Sequence, residues 1–97
     1  MMWYVYSQNN SGGSFVIDEN LDEWVGIEAD SREEADALFH ELGGYFDGVE
    51  KGEDCDCCGD RWYPADEFAI LSEVFARIEY MGAPASSLRL HHRGATV

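Results

Sequence analysis

The sequence is poor in positive charge and has no long hydrophobic run. Its 97 residues include six lysines and arginines against 20 aspartates and glutamates, which gives a net charge of −14. No apolar stretch approaches the roughly 20 residues that cross a bilayer. The first residues also lack the basic region and apolar segment of a signal peptide. We therefore expect a protein of the cytoplasm that makes no membrane contact.

The carboxylates are concentrated in the middle of the chain. Residues 18–67 hold 18 of the 20, whereas residues 80–97 hold none and carry Arg89, His91, His92 and Arg93 instead. An acidic surface repels the phosphate backbone, so we expect no direct binding to nucleic acid. Such a surface often serves solubility alone. An acidic imitation of DNA, which would occupy a DNA-binding protein, is the alternative interpretation.

The composition favours a single folded domain over residues 1–97. Hydrophobic residues make up 45% of the chain and aromatic residues 13%, well above the composition of disordered segments. A chain of this length supports one modest core.

The first half of the chain predicts strands followed by a helix. Residues 3–6 and 15–17 are rich in aromatic and β-branched residues and predict a hairpin across a polar turn, and residues 24–29 predict a third strand. Ser31 can act as the N-cap of a helix, and Glu34 can close a capping box with it. The helix that they begin carries an apolar stripe and ends at a glycine pair. The stripe consists of Ala35, Leu38, Phe39 and Leu42.

The second half is less regular. Residues 45–64 show no hydrophobic periodicity, which predicts a long loop. Phe68, Leu71, Phe75 and Ile78 can share one face of a second helix, although residues 74–78 also suit a strand. Residues 88–92 alternate as a final strand does. The predicted fold is α+β, with a small antiparallel sheet of three or four strands, one clear helix packed across it and a long loop that bears the cysteines.

Every cysteine lies in that loop, at Cys55, Cys57 and Cys58. An odd, crowded set argues against disulfides. Cys55 and Cys58 have the spacing of half a zinc site, Cys57 can be a third ligand, and His91 a fourth, with His92 and His40 as alternatives. The neighbouring aspartates disfavour free thiolates, which weakens a nucleophilic role and makes a bound cation more useful. Thiols packed in the core and redox or iron–sulfur chemistry are the competing interpretations.

Three segments resemble a set of small bacteriophage proteins of unassigned function. They are Asn9-Asn10-Ser11-Gly12-Gly13, Tyr45-Phe46-Asp47-Gly48-Val49 and Asp54-Cys55-Asp56-Cys57-Cys58-Gly59-Asp60-Arg61-Trp62. The resemblance covers roughly the first two thirds of the chain. It implies a phage origin and action inside an infected bacterium, and it supplies no catalytic residues.

These observations favour a phage accessory protein that binds a host macromolecule, with a host protein as the expected partner and zinc stabilising the cysteine loop. The sequence contains no complete catalytic set. A small-molecule (nucleotide) binder or a small metal-dependent enzyme is the second hypothesis. An acidic DNA mimic and a minor virion component are further alternatives.

Overall fold

The chain forms a sheet with a helix on each face. The computed structural model describes residues 2–9, 15, 17–52 and 59–91. Within these ranges the strands and helices are β1 (Met2–Ser7), β2 (Trp24–Ala29), α1 (Arg32–Glu41), β3 (Asp66–Phe68), α2 (Leu71–Tyr80) and β4 (Leu88–His91), with a short 3-10 turn at Ala85–Ser87 before β4. The strand order is β3-β1-β2-β4. The predicted α+β class and the clear first helix are confirmed.

The sheet is mixed, whereas the sequence predicted an antiparallel one. β1 pairs antiparallel with β2 and with β3, but β4 runs parallel to β2, with Leu88 opposite Trp24 and His91 opposite Ile27. The connection explains the difference. α2 follows β3 at one edge of the sheet and leads to β4 at the other, and a helical crossover of this kind returns the chain in its original direction.

Alternation along β1 divides the core between the two faces. Tyr4 and Tyr6 pack in the cluster that includes α1, whereas Trp3 and Val5 pack in the cluster that includes α2. Successive side chains of a strand point to opposite faces. The run of four buried residues at 3–6 therefore serves two separate hydrophobic layers.

The predicted start and buried face of α1 are confirmed. Ser31 Oγ accepts a hydrogen bond of 3.1 Å from the backbone N–H of Glu34, and this bond satisfies one of the donors that a helix N-terminus leaves unpaired. Ala35 and Phe39 are fully buried against the sheet. Beyond the helix, Gly43 adopts a φ of +107°, a value that glycine reaches without steric cost.

The predicted hairpin between residues 3–6 and 15–17 is wrong. Phe15 and Ile17 lie outside the strands, and position 16 lies outside the described residues. Asp18 Oδ1 accepts from the backbone N–H groups of Asn20 and Leu21, each at 2.8 Å, and closes a turn immediately after this segment. The two sides of β1 are taken by β2 and β3, so no edge is left for a third partner.

The second helix is confirmed, and its predicted buried face is partly correct: Leu71 and Ile78 pack against the core, but Phe75 does not. Val74 and Ile78 are fully buried, whereas Phe75 is 39% exposed. Phe68 belongs to β3 rather than to the helix. Residues four apart lie on one side of a helix, and the spacing of Val74 and Ile78 matches their contacts with Trp3 and Val5 beneath them.

Candidate functional site

The three cysteines, Cys55, Cys57 and Cys58, lie outside the described residues, as does His92. The chain on either side of the cysteines is described. Asp60 Oδ1 accepts from the backbone N–H of Val49 at 2.9 Å, and Asn9 Nδ2 donates to the Asp60 carbonyl at 3.3 Å. These bonds hold Asp60 beside Val49, which precedes the cysteines in the chain, and beside Asn9, which follows the end of β1.

His91 stabilises a connection at the β4 edge. Its Nε2 lies 2.8 Å from the carbonyl oxygen of Asn20. Because a carbonyl can only accept, Nε2 carries the hydrogen in this contact. Arg89, two residues earlier, donates to the Glu19 carbonyl at 2.7 Å and forms an ion pair of 3.5 Å with Asp22. Together these two side chains fasten residues 19–22 to the sheet, and Nδ1 is the nitrogen of His91 left for a metal.

His91 lies in β4, far from Asp60, which follows the cysteines and contacts Asn9 beyond the end of β1. His91 is level with Ile27 and Tyr4 across the strands, whereas Asn9 lies five residues beyond Tyr4. At about 3.4 Å per residue and about 4.8 Å per strand, their backbones are roughly 20 Å apart. Zinc binding by the three cysteines and His91 stays a prediction.

His40 lies at the last turn of α1. Its Nδ1 donates to the Gly44 carbonyl at 3.1 Å, and its ring meets Phe46 edge-on with centroids 5.5 Å apart. His40 therefore sits beside the chain that leads toward the cysteines. Across the parts of the chain that the structure describes, no group of three or more His, Cys, Asp or Glu side chains could hold a metal ion.

A cleft of about 340 Å³ opens between α1 and the two segments that flank the cysteines. Among the described residues, its lining combines four charged and two aromatic side chains, together with a short apolar stretch before β3. The charged and aromatic residues are Arg32, Asp36, Phe46, Asp47, Asp60 and Trp62. Arg32 and Asp36 are four residues apart in α1, which places them on the same side of the helix. We call this the α1 cleft.

Arg32 is already engaged at the wall of the α1 cleft. One guanidinium nitrogen donates to the Ala65 carbonyl at 2.8 Å, and another lies 3.6 Å from the Glu67 carboxylate. The guanidinium carbon also lies 5.8 Å from the centre of the Tyr4 ring. These contacts tie α1 to the chain entering β3, and Glu67 balances the charge of Arg32.

A buried aromatic group lies next to the α1 cleft and contacts its lining residue Trp62. Tyr6 and Phe39 stack with ring centroids 4.0 Å apart, and Trp62 meets Phe39 edge-on at 4.8 Å. The Tyr6 hydroxyl donates to Asp36 Oδ1 at 2.6 Å. Burial, and then the hydrogen bond to the Asp36 carboxylate, raise the pKa of the Tyr6 phenol well above its usual value. Tyr6 therefore remains a neutral donor that fixes this carboxylate.

Trp62, one of the residues that line the α1 cleft, carries a buried polar group. The side chain is only 2% exposed, and its Nε1–H is buried without an acceptor among the described residues. A buried donor without a partner is energetically unfavourable by about 1–3 kcal/mol. The sequence gave no sign of this group.

The comparison with protein families gives one match. A family described as a domain of unknown function, DUF7296, matches residues 1–82. The chain belongs to this family. No curated protein and no solved structure matches the chain significantly.

Membership in DUF7296 agrees with the predicted uncharacterised family at this coarser level. The matched residues contain the whole α1 cleft and the three cysteines, whereas His91 lies beyond them.

A separate prediction concerned the membrane. Among the described residues, no helix has the length and apolar character needed to cross one.

The sequence pointed to the cysteines and histidines and missed the α1 cleft. The only local signal was the spacing of Arg32 and Asp36 on α1. Asp47 and Asp60 stand 13 residues apart in irregular chain, and nothing in their surroundings marks them as neighbours. Their approach depends on how the two flanks of the cysteine segment pack against α1.

Proposed function

We propose that this member of DUF7296 is a phage accessory protein that acts in the host cytoplasm by binding a host protein with a basic surface. The proposal combines the resemblance to small phage proteins with the charge of the folded molecule. It assigns the protein a binding role and no reaction.

The proposal rests mainly on the excess of negative charge. Several of the few positive side chains are already in ion pairs with carboxylates. Among the described residues, three arginines already pair with carboxylates, in the ion pairs Arg32–Glu67, Arg77–Asp66 and Arg89–Asp22. With a net charge of −14 over the whole chain, the remaining field is strongly negative. Complementary charge accelerates association and selects partners of the opposite sign. A basic protein surface fits this field, and a nucleic acid backbone does not.

Cross-linking and capture from host lysate test the proposal. The parent protein is expected to recover one specific protein with a basic surface, at a yield that falls as salt is raised from 50 to 500 mM, because salt screens exposed charges. Repeated recovery of no specific protein at high bait concentration would count against the proposal. If the captured partner is a DNA-binding protein displaced from DNA, the DNA-mimic form of the hypothesis is favoured.

A small-molecule function is the second candidate, and the α1 cleft is the observation in its favour. Its volume of about 340 Å³ falls at the lower end of ligand pockets. The three aspartates of its lining disfavour a nucleotide phosphate there. A thermal-shift screen against nucleotides separates the two functions, since a ligand that binds the folded state raises the melting temperature. A virion component would instead be detected by mass spectrometry of purified particles.

Zinc bound by Cys55, Cys57, Cys58 and His91 remains part of the proposal. Metal analysis of the untagged protein is expected to give close to one zinc per chain, and Cys58→Ser is expected to lower the melting temperature. A metal-free parent that melts at the same temperature as the variant would end the zinc hypothesis. His40→Ala and His91→Ala, compared for zinc content, would identify the fourth ligand.

A further inference from the structure

We propose that a host protein docks beside the C-terminal end of α2 and inserts an apolar side chain there that is flanked by arginine or lysine. The docking surface, which we call the α2 patch, consists of Tyr63, Phe75, Met81, Ala83 and Pro84. The identity of the partner rests on the proposed function, whereas the chemistry of the ligand rests on the α2 patch alone.

Three large side chains of the α2 patch are exposed: Tyr63 by 49%, Phe75 by 39% and Met81 by 58%. Tyr63 and Met81 line one cleft of about 250 Å³, and Phe75 and Pro84 line a second of about 270 Å³. Ala83 lines both clefts, so the exposed side chains belong to one surface. Continuous apolar surface of this kind marks protein–protein contact sites, and aromatic residues and methionine are enriched in the centres of interfaces.

Backbone hydrogen bonds hold the two sides of the α2 patch in place. The N–H of Tyr63 donates to the Ser7 carbonyl at the end of β1 at 3.0 Å, and the N–H of Ala83 donates to the Ile78 carbonyl of α2 at 3.1 Å. A surface that is fixed before binding loses little conformational freedom when a partner docks. The two clefts are therefore ready for a partner in the free protein.

Charge selects a partner with basic side chains. Among the described residues, each cleft is lined by one charged side chain, Glu23 in the first and Glu79 in the second. Arg61 donates to Gln8 of the first cleft at 3.4 Å but does not itself line that cleft. The methylene groups of arginine and lysine also pack well on aromatic surface such as that of Tyr63.

The same charges disfavour other occupants of the α2 patch. A second copy of the chain would bring a further net charge of −14 and the same two glutamates, and like charges that face each other across an interface repel. Anionic lipid headgroups are repelled for the same reason. Clefts of about 250 and 270 Å³ lie below the usual range of small-molecule pockets, so each suits a single side chain of a protein partner.

The test is an NMR titration of the ¹⁵N-labelled protein with the peptide acetyl-Leu-Arg-Leu-Arg-amide, which carries both features of the partner. The backbone amide signals of Tyr63, Met81 and Ala83 are expected to move, while that of Ile17 stays in place. Acetyl-Leu-Glu-Leu-Glu-amide and acetyl-Gly-Arg-Gly-Arg-amide are each expected to bind at least about fivefold more weakly.

Three results would overturn the inference. One is no movement of the three signals at about 10 mM of the arginine–leucine peptide, a concentration well above a dissociation constant of about 1 mM. Another is equal binding of either comparison peptide. The last is movement of the same signals with protein concentration alone, which would mean that a second copy occupies the α2 patch.

Two variants test the residues of the surface. Met81→Ser removes an apolar contact and is expected to weaken binding of the arginine–leucine peptide about fivefold, and Glu79→Gln removes a charge and is expected to weaken it about two- to fivefold. Both side chains are exposed, so the variants are expected to fold. Ile17→Ala, which truncates an apolar side chain that is 59% exposed and lines neither cleft, is the matched control and leaves affinity unchanged. Unchanged affinity in the Met81→Ser, Glu79→Gln double variant would also overturn the inference.

The same variants separate this inference from the proposed function. If the parent and the double variant capture the host partner equally well, the partner binds elsewhere and the inference fails while the function stands. If the α2 patch binds the arginine–leucine peptide but no partner is ever captured, the proposed function fails and the ligand chemistry of the α2 patch stands.

Discussion

Gly44→Ala is predicted to be among the most destabilising single-methyl additions in this protein. A Cβ at position 44 would lie 2.3–2.5 Å from three ring carbons of Phe39. Two carbon atoms cannot approach so closely, and Gly44 cannot easily retreat, because its own N–H donates to the Phe39 carbonyl at 2.9 Å. The ring of Phe39 therefore has to move.

The surroundings of Phe39 leave little room for that movement. The side chain is completely buried, it stacks on Tyr6 at 4.0 Å with planes 5° apart, and Trp62 and Phe46 close its other sides at 4.8 and 5.4 Å. Overpacking a tight core costs roughly 1–3 kcal/mol. We expect about 3 kcal/mol here, which lowers the melting temperature of a domain this size by about 12–24 °C.

Urea unfolding followed by far-ultraviolet circular dichroism measures the effect. Gly52→Ala is the comparison variant: its φ is +81° and a Cβ there meets nothing within 4 Å, so it reports the strain of a left-handed backbone without a steric clash, about 1–2 kcal/mol. The double variant Phe39→Leu, Gly44→Ala tests the steric cause, because a smaller side chain relieves the clash. Its loss of stability should be smaller than the sum of the single losses by about 1–2 kcal/mol.

Two results would refute this reasoning. One is a Gly44→Ala variant no less stable than Gly52→Ala. The other is additivity of the two changes within about 0.5 kcal/mol, which would mean that Phe39 and position 44 do not interact.

Three further predictions concern the helices and the buried phenol. Ser31→Ala removes the cap of α1 and should lower the free energy of unfolding by about 1 kcal/mol, while Ser72→Ala, exposed in α2, should change it by less than about 0.5 kcal/mol; denaturant titration of the two variants checks this. The pKa of Tyr6 is raised in the folded state, so its contribution to stability is complete below about pH 10 and declines as the pH rises further, by up to about 1.4 kcal/mol per pH unit. Tyr6→Phe should reduce this slope in urea titrations between pH 9 and 11, and an undiminished slope would contradict the assignment. Ile78→Ala should cost about 2–4 kcal/mol and Phe75→Ala about 1 kcal/mol or less, as calorimetry can show, and the reverse order would mean that Phe75 rather than Ile78 packs in the core.

The candidate sites differ in how far the sequence could reveal them. Cysteine spacing is a local pattern, so Cys55, Cys57 and Cys58 are visible as possible metal ligands without any structure. His91 was predicted as a zinc ligand only because it is a histidine. In the structure it forms a 2.8 Å hydrogen bond to Asn20, a contact that no sequence pattern predicts. That contact joins residues 71 positions apart, a separation that sequence periodicity cannot connect.

Local chemistry determined β1, β2 and α1. The N-cap at Ser31 and the apolar stripe of α1 act within two helical turns, and the aromatic and β-branched residues of β1 and β2 act within single strands. Each pattern was therefore readable from neighbours in the chain.

Tertiary structure decided how those elements meet. The parallel pairing of β4 with β2 follows from the crossover through α2, and the face that α2 buries follows from its contacts with Trp3 and Val5. The α1 cleft gathers residues from 32 to 65. These arrangements arise because distant segments compete for the same edges and surfaces of the sheet. No local pattern in the sequence indicates which segment occupies which edge.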